Sequence, residues 1–295
     1  MYRIAVILAF IITFPYIGNA QQKRAFLVGI SDYTNKTALS DEDWGNIHGT
    51  NDVELLSKTL RKQKFSITTV KNQQATAEKI RKGLNEFARS CKPGDLVYLH
   101  FSCHGQPVED QNGDEADKWD ESIIPVDAKM VYIKGRYTGE NHILDDELNG
   151  YFRTIRKNVG PKGFVYVIVD ACHAGTSYRG DEEEDSTVVR GTNRGFSSSG
   201  KIFTPKIDKR GKIKIENNAQ MAGICIVEAC RSYQSNSEIC ENGVYYGSLS
   251  FYVNKVLQES HLGRNVSWLN KVSNYIKSDI RLTRQNLVIE TSQNR

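Results

Sequence analysis

Short apolar runs alternate with amphipathic stretches along most of this sequence. Runs at 24–30, 65–70, 95–103 and 163–170 are six to nine residues long and rich in β-branched and aromatic side chains, which predicts buried strands. Between them, apolar residues recur every three or four positions, a spacing that predicts helices. Strands that alternate with helices indicate an α/β fold with a mostly parallel sheet covered on both faces.

Capping residues and breaks in the pattern give the remaining elements. Asn51 and Asp52 precede an apolar helical stretch and are interpreted as its caps, and Thr76 begins a second helix. The other expected elements are a helix from Asp145, a strand at 223–228, helices at 249–257 and 266–276, and a last strand at 287–289.

The segment 176–218 departs from this alternation. It is rich in glycine, serine and charged residues and has almost no apolar periodicity. It is also much longer than an ordinary connection. We therefore predict a mobile or functional loop.

The first twenty residues form a segment of a different kind. One positive charge at Arg3 precedes the apolar run 4–14, and Gly18 and Ala20 place small residues at the −3 and −1 positions before Gln21. The run is short for a membrane span, and the arrangement is typical of a secretory signal peptide. We expect residues 1–20 to be removed, leaving a secreted or periplasmic protein without a stable membrane span. A buried strand or an uncleaved anchor is the alternative.

Composition and charge narrow the set of partners. Of the 295 residues, 39% are hydrophobic and 25% are charged, with a formal net charge of +4, which is ordinary for a globular domain. The sequence has no basic stripe interleaved with aromatic residues, so nucleic acid is not an expected partner. Its six cysteines show no repeated spacing, which argues against the disulfide framework of a small scaffold.

Two reactive side chains follow predicted strands directly. His104 belongs to HFSCHG at the end of the run 95–103, and Cys172 belongs to VDACHAG after the run 163–170. Because sites of α/β sheets lie at the carboxyl ends of strands, neighbouring strands would bring the two together. An imidazole activates a thiol as a nucleophile, and a glycine such as Gly105 lets a substrate approach amides that could bind an oxyanion.

Each of these residues also has a plainer interpretation. Taken alone, Cys172 is more often a buried structural cysteine than a nucleophile, and His104 could be a core histidine. Asp52 could only cap its helix, and Asp170 could be an ordinary carboxylate at a strand end. The cysteines and histidines of the two segments also have the ligand types of a zinc site, although their spacing matches no established zinc pattern.

Together, the two segments resemble the paired histidine and cysteine motifs of the caspase and metacaspase family, most closely those of metacaspases and their bacterial relatives. The resemblance extends over most of residues 22–260 and includes GTND at 49–52 and IVEACR at 226–231. It implies a caspase-like three-layer α/β/α sandwich with a mostly parallel six-stranded central sheet. The implied catalytic domain, 21–295, consists of a p20-like part at about 21–180, a linker at about 176–218 and a p10-like part at about 219–295.

The same resemblance implies roles for residues at matching positions. Cys172 would be the nucleophile, His104 the general base and acid, and the amides of Gly105 and Cys172 the oxyanion donors. Metacaspases cleave after arginine or lysine through an acidic pocket. The residues that match this pocket are Asp52, Ser102 and Asp170. Two carboxylates near one pocket favour a basic side chain, so we expect polypeptide substrates with a basic P1 residue. The resemblance also implies a thioester acyl-enzyme and a monomeric protein.

Acidic residues resemble the calcium-responsive carboxylates of metacaspases. The matching positions are Asp120, Asp145 and Asp146, near the acidic stretch 114–121, whereas the family's fourth aspartate is Arg179 here. Hard oxygen ligands suit calcium, which we expect as an activator and not as a required cofactor. A solvated acidic surface is the alternative.

Three further points bear on function. Cys103 stands where the family usually has glycine and puts a second thiol beside His104, so redox sensitivity is an open question.

Exposed basic residues within 176–218, among them Arg190, make this loop a candidate for cleavage by the enzyme itself. Two alternatives remain: a catalytically inert secreted binding module on the same fold, and a legumain-like or clostripain-like sister peptidase.

Overall fold

Eleven strands and five α-helices occupy the residues that this computed structural model describes, namely 21–34, 40, 42–113, 115, 117–173, 188–205, 215, 218–282 and 285–292. The strands are β1 (Lys23–Gly29), β2 (Phe65–Lys71), β3 (Leu96–Ser102), β4 (His104–Glu109), β5 (Trp119–Ile124), β6 (Ile143–Leu144), β7 (Phe164–Asp170), β8 (Gly223–Glu228), β9 (Glu238–Glu241), β10 (Val244–Gly247) and β11 (Val288–Thr291). The helices are α1 (Gly49–Lys62), α2 (Ala77–Ser90), α3 (Asp145–Val159), α4 (Ser248–Glu259) and α5 (Trp268–Ser278).

Six strands form one sheet in the order β11, β8, β7, β3, β1, β2. Neighbouring strands from β8 to β2 pair in parallel, and only β11 runs antiparallel, at the edge beside β8. The expected mostly parallel six-stranded sheet is therefore confirmed. In its register, Ser102 at the end of β3 faces both Asp170 of β7 and Gly29 of β1. The three central strands thus end side by side.

Alternating side chains of the sheet enter two different cores. On β7, Tyr166 and Ile168 pack on the face covered by α1, α4 and α5. Val165 and Val167 pack on the opposite face, against residues of α2 and α3. This alternation follows from the two-residue period of a strand and gives the expected three-layer α/β/α sandwich.

A second, antiparallel sheet follows β3 without an intervening loop, and the sequence pattern did not predict it. Its three strands are β4, β5 and β6, and a separate hairpin is formed by β9 and β10. The strand β4 has the sequence HGQPVE, which is polar and contains Pro107. At the edge of its sheet β4 tolerates proline. On the side away from β5 the carbonyl of Pro107 still accepts a hydrogen bond of 2.8 Å from the amide of Phe196.

The start of α1 differs from the expected capping. The helix begins at Gly49, so Asn51 and Asp52 lie in its first turn and not at its N-cap. A Cβ added at Gly49 would lie 2.4 Å from the carbonyl oxygen of Ser102. Glycine therefore allows α1 to approach the end of β3 closely, and this approach places Asp52 at the sheet edge. The predicted cap Thr76 is confirmed, since its side chain accepts a hydrogen bond from the amide of Lys79 at 3.3 Å.

No helix within the described ranges has both the length and the apolar character that a membrane crossing requires. The predicted signal peptide, residues 1–20, lies outside the described residues.

Candidate functional site

The carboxyl ends of β3 and β7 and the first turn of α1 meet in one buried pocket. The hydroxyl of Ser102 donates a hydrogen bond of 2.7 Å to the Oδ2 atom of Asp52. Asp170 lies beside Ser102 in the sheet register. All three side chains are completely buried. The structure thus brings together the three residues assigned by resemblance to an acidic pocket.

A guanidinium from the chain itself fills this pocket. Arg190 is completely buried, although its loop was expected to be exposed. Its Nη1 atom lies 2.8 Å from Asp52 Oδ2 and donates to the Ser102 hydroxyl at 2.6 Å. The same atom lies 3.9 Å from Asp170 Oδ1. The three expected residues therefore surround a basic side chain.

Glu238 supplies a third carboxylate, which the sequence analysis missed. Its Oε1 atom accepts hydrogen bonds from Arg190 Nε at 3.0 Å and Nη2 at 2.8 Å. The backbone amide of His48 donates to the same oxygen at 2.8 Å, and the His48 ring lies 2.5 Å from Oε2. Two edges of the guanidinium are thus held by different acids, an arrangement that lysine cannot reproduce.

Asp170 is held mainly by neutral donors at the back of the pocket. Asn236 donates to its Oδ1 atom at 2.7 Å, and the amide of Ser250 donates to Oδ2 at 2.7 Å. A Cβ added at Gly247 would lie 2.2 Å from Asp170 Oδ2 and 2.6 Å from Arg190 Nη1. The absence of a side chain at Gly247 is therefore what leaves room for the guanidinium.

Burial and ion pairing have opposite effects on the pKa values of the charged groups in the pocket. Burial raises the pKa of Asp52 to about 7, against the lowering effect of Arg190. Burial also acts to raise the pKa of Glu238, but Arg190 and the hydrogen bond from His48 outweigh it and hold that pKa below its usual value. For Arg190, the three carboxylates outweigh burial and raise the pKa of the guanidinium. Arg190 is therefore a permanent cation in a pocket whose charge depends on Asp52.

The backbone of Arg190 is bound as well as its side chain. Its carbonyl oxygen accepts hydrogen bonds from the amide of Cys172 at 2.9 Å and from the amide of Gly105 at 3.3 Å. These are the two amides expected to bind an oxyanion. Its own amide donates to the carbonyl of Asn236 at 3.0 Å, and Val189 forms an antiparallel bridge with Ser237. Residues 188–191 thus lie across the site as an added strand.

His104 is oriented by aromatic rings and one backbone carbonyl. Its ring centroid lies 4.9 Å from those of both Tyr33 and Trp44. The Nε2 atom lies 2.9 Å from the carbonyl oxygen of Gly45. Because a carbonyl only accepts, Nε2 carries the proton and Nδ1 is the basic nitrogen.

The basic Nδ1 atom of His104 is buried and has no hydrogen-bond partner within the described residues. Burial lowers the pKa of His104 to about 4, so the ring is neutral at ordinary pH. A Cβ added at the adjacent Gly105 would lie 2.5 Å from the carbonyl oxygen of Cys172. The histidine and cysteine segments therefore meet backbone to backbone, as expected from the sheet.

Cys172 is buried at the end of β7. Its Sγ atom donates to the carbonyl oxygen of Gln234 at 2.7 Å. A second sulfur, that of Cys230, lies 3.2 Å from it. The thiol that neighbours Cys172 thus comes from the end of β8, a contact that the sequence did not predict.

Two residues beside the reactive pair have surroundings that the sequence did not predict. His173 has only 12% of its side chain exposed and lies with Nδ1 3.3 Å from Glu121 Oε2. Cys103, for which redox sensitivity was left open, is completely buried, and burial raises its pKa to about 12. Cys103 therefore forms little thiolate and is a poor candidate for the nucleophile.

Metal ligation receives no support from the arrangement of the described side chains. Nowhere in the described ranges do three His, Cys, Asp or Glu side chains form a group that could hold an ion. The zinc interpretation involves only described residues and is not supported. Asp120 is buried on β5, and Asp145 and Asp146 lie in the first turn of α3. Burial and the neighbouring carboxylates raise the pKa of Asp145 to about 7.

The calcium expectation stays a prediction. Two residues that the sequence analysis connected with it, Asp114 and Arg179, lie outside the described residues.

Comparisons with known proteins identify the family to which the chain is similar. A family model described as the caspase domain, Peptidase_C14, matches residues 22–292. The chain is 35% identical over 162 residues to Metacaspase-2 of Arabidopsis thaliana, covering 52% of this chain and 35% of that protein. It is 24% identical over 301 residues to Metacaspase-1 of Scheffersomyces stipitis, covering 89% and 68% of the two chains. The match to Metacaspase-2 therefore spans about a third of that relative.

Two solved structures show the same fold. One is a protein from Geobacter sulfurreducens, with a TM-score of 0.60 and 18% identity, covering 93% of this chain and 94% of that one. The other is caspase-1 from Spodoptera frugiperda, with a TM-score of 0.53 and 14% identity, covering 93% and 88%.

Replacing Arg190 with alanine should release the strand formed by residues 188–191. Without the guanidinium, the segment loses its ion pairs while keeping only its backbone hydrogen bonds. We expect faster hydrogen exchange at the amides of Arg190 and Gly191, measured by mass spectrometry in a Cys172→Ala background. Arg194→Ala is the matched control, because Arg194 is exposed in the same segment. Equal exchange in both variants would show that the pocket does not anchor the strand.

Proposed function

The chain belongs to the caspase-domain family of cysteine peptidases, and from this premise we propose that it is a secreted cysteine endopeptidase that cleaves polypeptides after arginine or lysine. Cys172 is its nucleophile and His104 its base. The observation that carries the proposal is the binding of Arg190, whose side chain occupies the acidic pocket while its carbonyl contacts the amides of Gly105 and Cys172.

In the proposed reaction, each residue has a defined role. His104 Nδ1 takes the thiol proton as the sulfur of Cys172 attacks the substrate carbonyl carbon, and the carbonyl oxygen becomes an oxyanion held by the two amides. The protonated imidazole then gives its proton to the leaving amine, and the C–N bond breaks. Water, deprotonated by His104, attacks the carbonyl carbon of the resulting thioester, the C–S bond breaks and the acid is released. The proton on His104 returns to the sulfur of Cys172. No step requires a group that the protein lacks.

Substrate selection follows from the same pocket. Asp52, Asp170 and Glu238 provide three buried carboxylates around the side chain that precedes the cleaved bond. A buried carboxylate without a cation is costly, so an acidic or neutral P1 side chain would bind much more weakly than a basic one. The charge of the pocket favours arginine or lysine at P1 over the aspartate of caspases and the asparagine of legumain-like enzymes.

Fluorogenic peptides that differ only at P1 test the proposal. We expect hydrolysis with arginine or lysine at P1 and none with aspartate or asparagine. Cys172→Ala should lower kcat by about 10⁴-fold or more, as expected for loss of a nucleophile. Asp52→Asn should lower kcat/KM for the arginine peptide by about 10- to 100-fold, the effect of one charge-assisted hydrogen bond. Cys91→Ser, remote at the end of α2, is the control for loss of a thiol.

Other outcomes would select among the alternatives. Cleavage after asparagine would point to a legumain-like peptidase. If no peptide is cleaved, with calcium present or absent, while an arginine peptide still binds, the inert binding module becomes the better description.

The bond between Arg190 and Gly191 should be cut by the enzyme itself. The carbonyl oxygen of Arg190 contacts the amides of Gly105 and Cys172, the two proposed oxyanion donors. The Arg190–Gly191 bond therefore lies where the bond of a substrate would lie. We expect purified protein to yield a fragment that begins at Gly191, identified by N-terminal sequencing. Arg190→Gln should abolish this fragment, whereas Arg194→Gln should not. Persistence of an intact chain in a preparation that cuts peptides would contradict the prediction.

Activity on basic peptides should depend on pH through Asp52. As the pH falls through about 7, Asp52 takes up a proton and the pocket loses one negative charge, so KM for the arginine peptide should rise. The pKa of His104 is about 4, so the base stays neutral and kcat should be nearly constant down to about pH 5. Asp52→Asn should flatten the KM profile, and a wild-type KM that does not change across this range would exclude Asp52 as the titrating group.

Glu238 should set the preference for arginine over lysine. Its Oε1 atom contacts Nε and Nη2 of the guanidinium, and lysine has no equivalent of this pair. Glu238→Gln should lower the arginine-to-lysine ratio of kcat/KM by about tenfold, corresponding to one weakened charge-assisted interaction. Glu259→Gln, at an exposed position of α4, is the control. An unchanged ratio would assign the preference to other residues.

A further inference from the structure

Two cysteines occupy equivalent positions at the ends of neighbouring parallel strands. Cys172 follows Asp170 and Ala171 after β7, and Cys230 follows Glu228 and Ala229 after β8. The strands β7 and β8 are paired in parallel up to Val169 and Glu228. The amide of Ala229 then donates to the carbonyl of Val169 at 3.0 Å, which continues the alignment beyond the sheet. The fold therefore delivers both thiols to the same edge.

The two sulfur atoms are in contact. Sγ of Cys230 lies 3.2 Å from Sγ of Cys172, and both thiols also contact the carbonyl oxygen of Gln234, at 3.3 and 2.7 Å. Cys172 is completely buried and Cys230 is 6% exposed, and the two form their own small apolar cluster. To form a disulfide, the sulfurs would have to close to about 2.0 Å, a short displacement of two side chains.

The other cysteines lack this arrangement. Cys103, adjacent to His104 in sequence, has its pKa raised to about 12 by burial, so it forms little of the thiolate that oxidants attack. Cys91 is buried at the end of α2, Cys225 is buried within β8, and Cys240 is exposed on β9. Cys230 is therefore a better candidate than Cys103 for a thiol that makes the site sensitive to oxidation.

We propose that Cys172 and Cys230 form a reversible disulfide that switches the enzyme off under oxidising conditions, with a hydroperoxide as the oxidant. The sulfur of Cys172 attacks one peroxide oxygen, giving a sulfenic acid and water or an alcohol. The sulfur of Cys230 then attacks the sulfenic sulfur, forming the S–S bond and releasing water. The thiol pair loses two electrons and two protons, and the peroxide is reduced. The inactivating effect, but not the disulfide itself, rests on the proposed role of Cys172 as nucleophile.

The position of Cys230 explains why the oxidation would be reversible. A nucleophilic cysteine that stays as a sulfenic acid can be oxidised further to sulfinic and sulfonic acids, which thiol reductants do not restore. A second thiol in contact with the first reacts before this happens. Cys230 also has its pKa raised by its hydrogen bond to Cys172 and by burial, so it keeps its proton until the neighbouring sulfur is oxidised.

Peroxide treatment of the full, reduced chain tests the proposal with two separate readouts. Peptide mapping without reduction should find Cys172 linked to Cys230, with a loss of two hydrogen atoms. In parallel, hydrolysis of the arginine peptide should be lost and then recovered with dithiothreitol. In Cys230→Ala, measured against its own activity before treatment, the loss should be permanent, with sulfinic acid at Cys172. Cys240→Ser, which removes an exposed thiol, should behave as wild type.

The readouts separate this proposal from the proposed function. A wild-type map without the Cys172–Cys230 link overturns the disulfide, whatever the activity. Recovery of Cys230→Ala equal to that of wild type overturns the protective role of Cys230. If the reduced protein cuts no peptide and yet forms the link, the endopeptidase proposal fails and the disulfide stands. Should Cys230→Ala not fold, Cys230→Ser provides the same comparison.

Discussion

A buried charge must be paired, and this constraint shapes the site. Three carboxylates from separate parts of the chain, Asp52, Asp170 and Glu238, are nearly or completely removed from water. Gathering them without a cation would cost several kcal/mol for each unpaired ion. The guanidinium of Arg190 offsets this cost and connects α1, the central sheet and β9. The pocket therefore needs a positive charge inside it, and the proposed selectivity for basic side chains rests on the same requirement.

The parallel sheet explains why the reactive groups lie next to this pocket. Ser102 and Asp170 end neighbouring strands in register, and His104 and Cys172 follow them by two residues each. The side chains at the strand ends bind the guanidinium, and the amides just beyond the ends bind the carbonyl oxygen. One sheet edge thus fixes the position of the Arg190 guanidinium relative to the Arg190 carbonyl oxygen.

The sequence predicted the parts of this site that depend on local pattern. The central strands are continuous apolar runs, so their ends could be located, and His104 and Cys172 were found because each directly follows such an end. To place His104 and Cys172 together, one further rule is enough: the carboxyl ends of neighbouring parallel strands meet at the same edge of the sheet. The assignment of Asp52 to the pocket, in contrast, needed the family resemblance, because by position alone it looks like a helix cap.

The residues that the sequence did not predict are those brought in by long-range packing. Glu238 lies on a four-residue strand without apolar alternation, and Gly247 ends the next strand. Nothing local indicates that either faces the pocket. Arg190 was only one of several basic residues in an irregular loop. The sequence raised a redox question only for Cys103, because Cys103 is adjacent to His104. Side chains of successive residues in extended backbone point to opposite sides, however, so adjacency is a poor guide to contact.

The occupied pocket has a consequence for how the enzyme would become active. Under the proposed function, a substrate's P1 residue makes the contacts that Arg190 makes here, so the tethered segment and a substrate exclude each other. A tethered ligand acts at an effective concentration of about millimolar, and the apparent affinity for a free substrate falls with the small fraction of open sites.

Cleavage after Arg190 would change this balance. The segment would lose its connection to Gly191, whose bridges to Gly105 and Cys172 help to hold it in place. It would also gain a carboxylate at Arg190, beside carboxylates that already repel one another. The cut segment should therefore leave more readily than the intact one, so the reaction that the site is built to perform would also be the step that opens it.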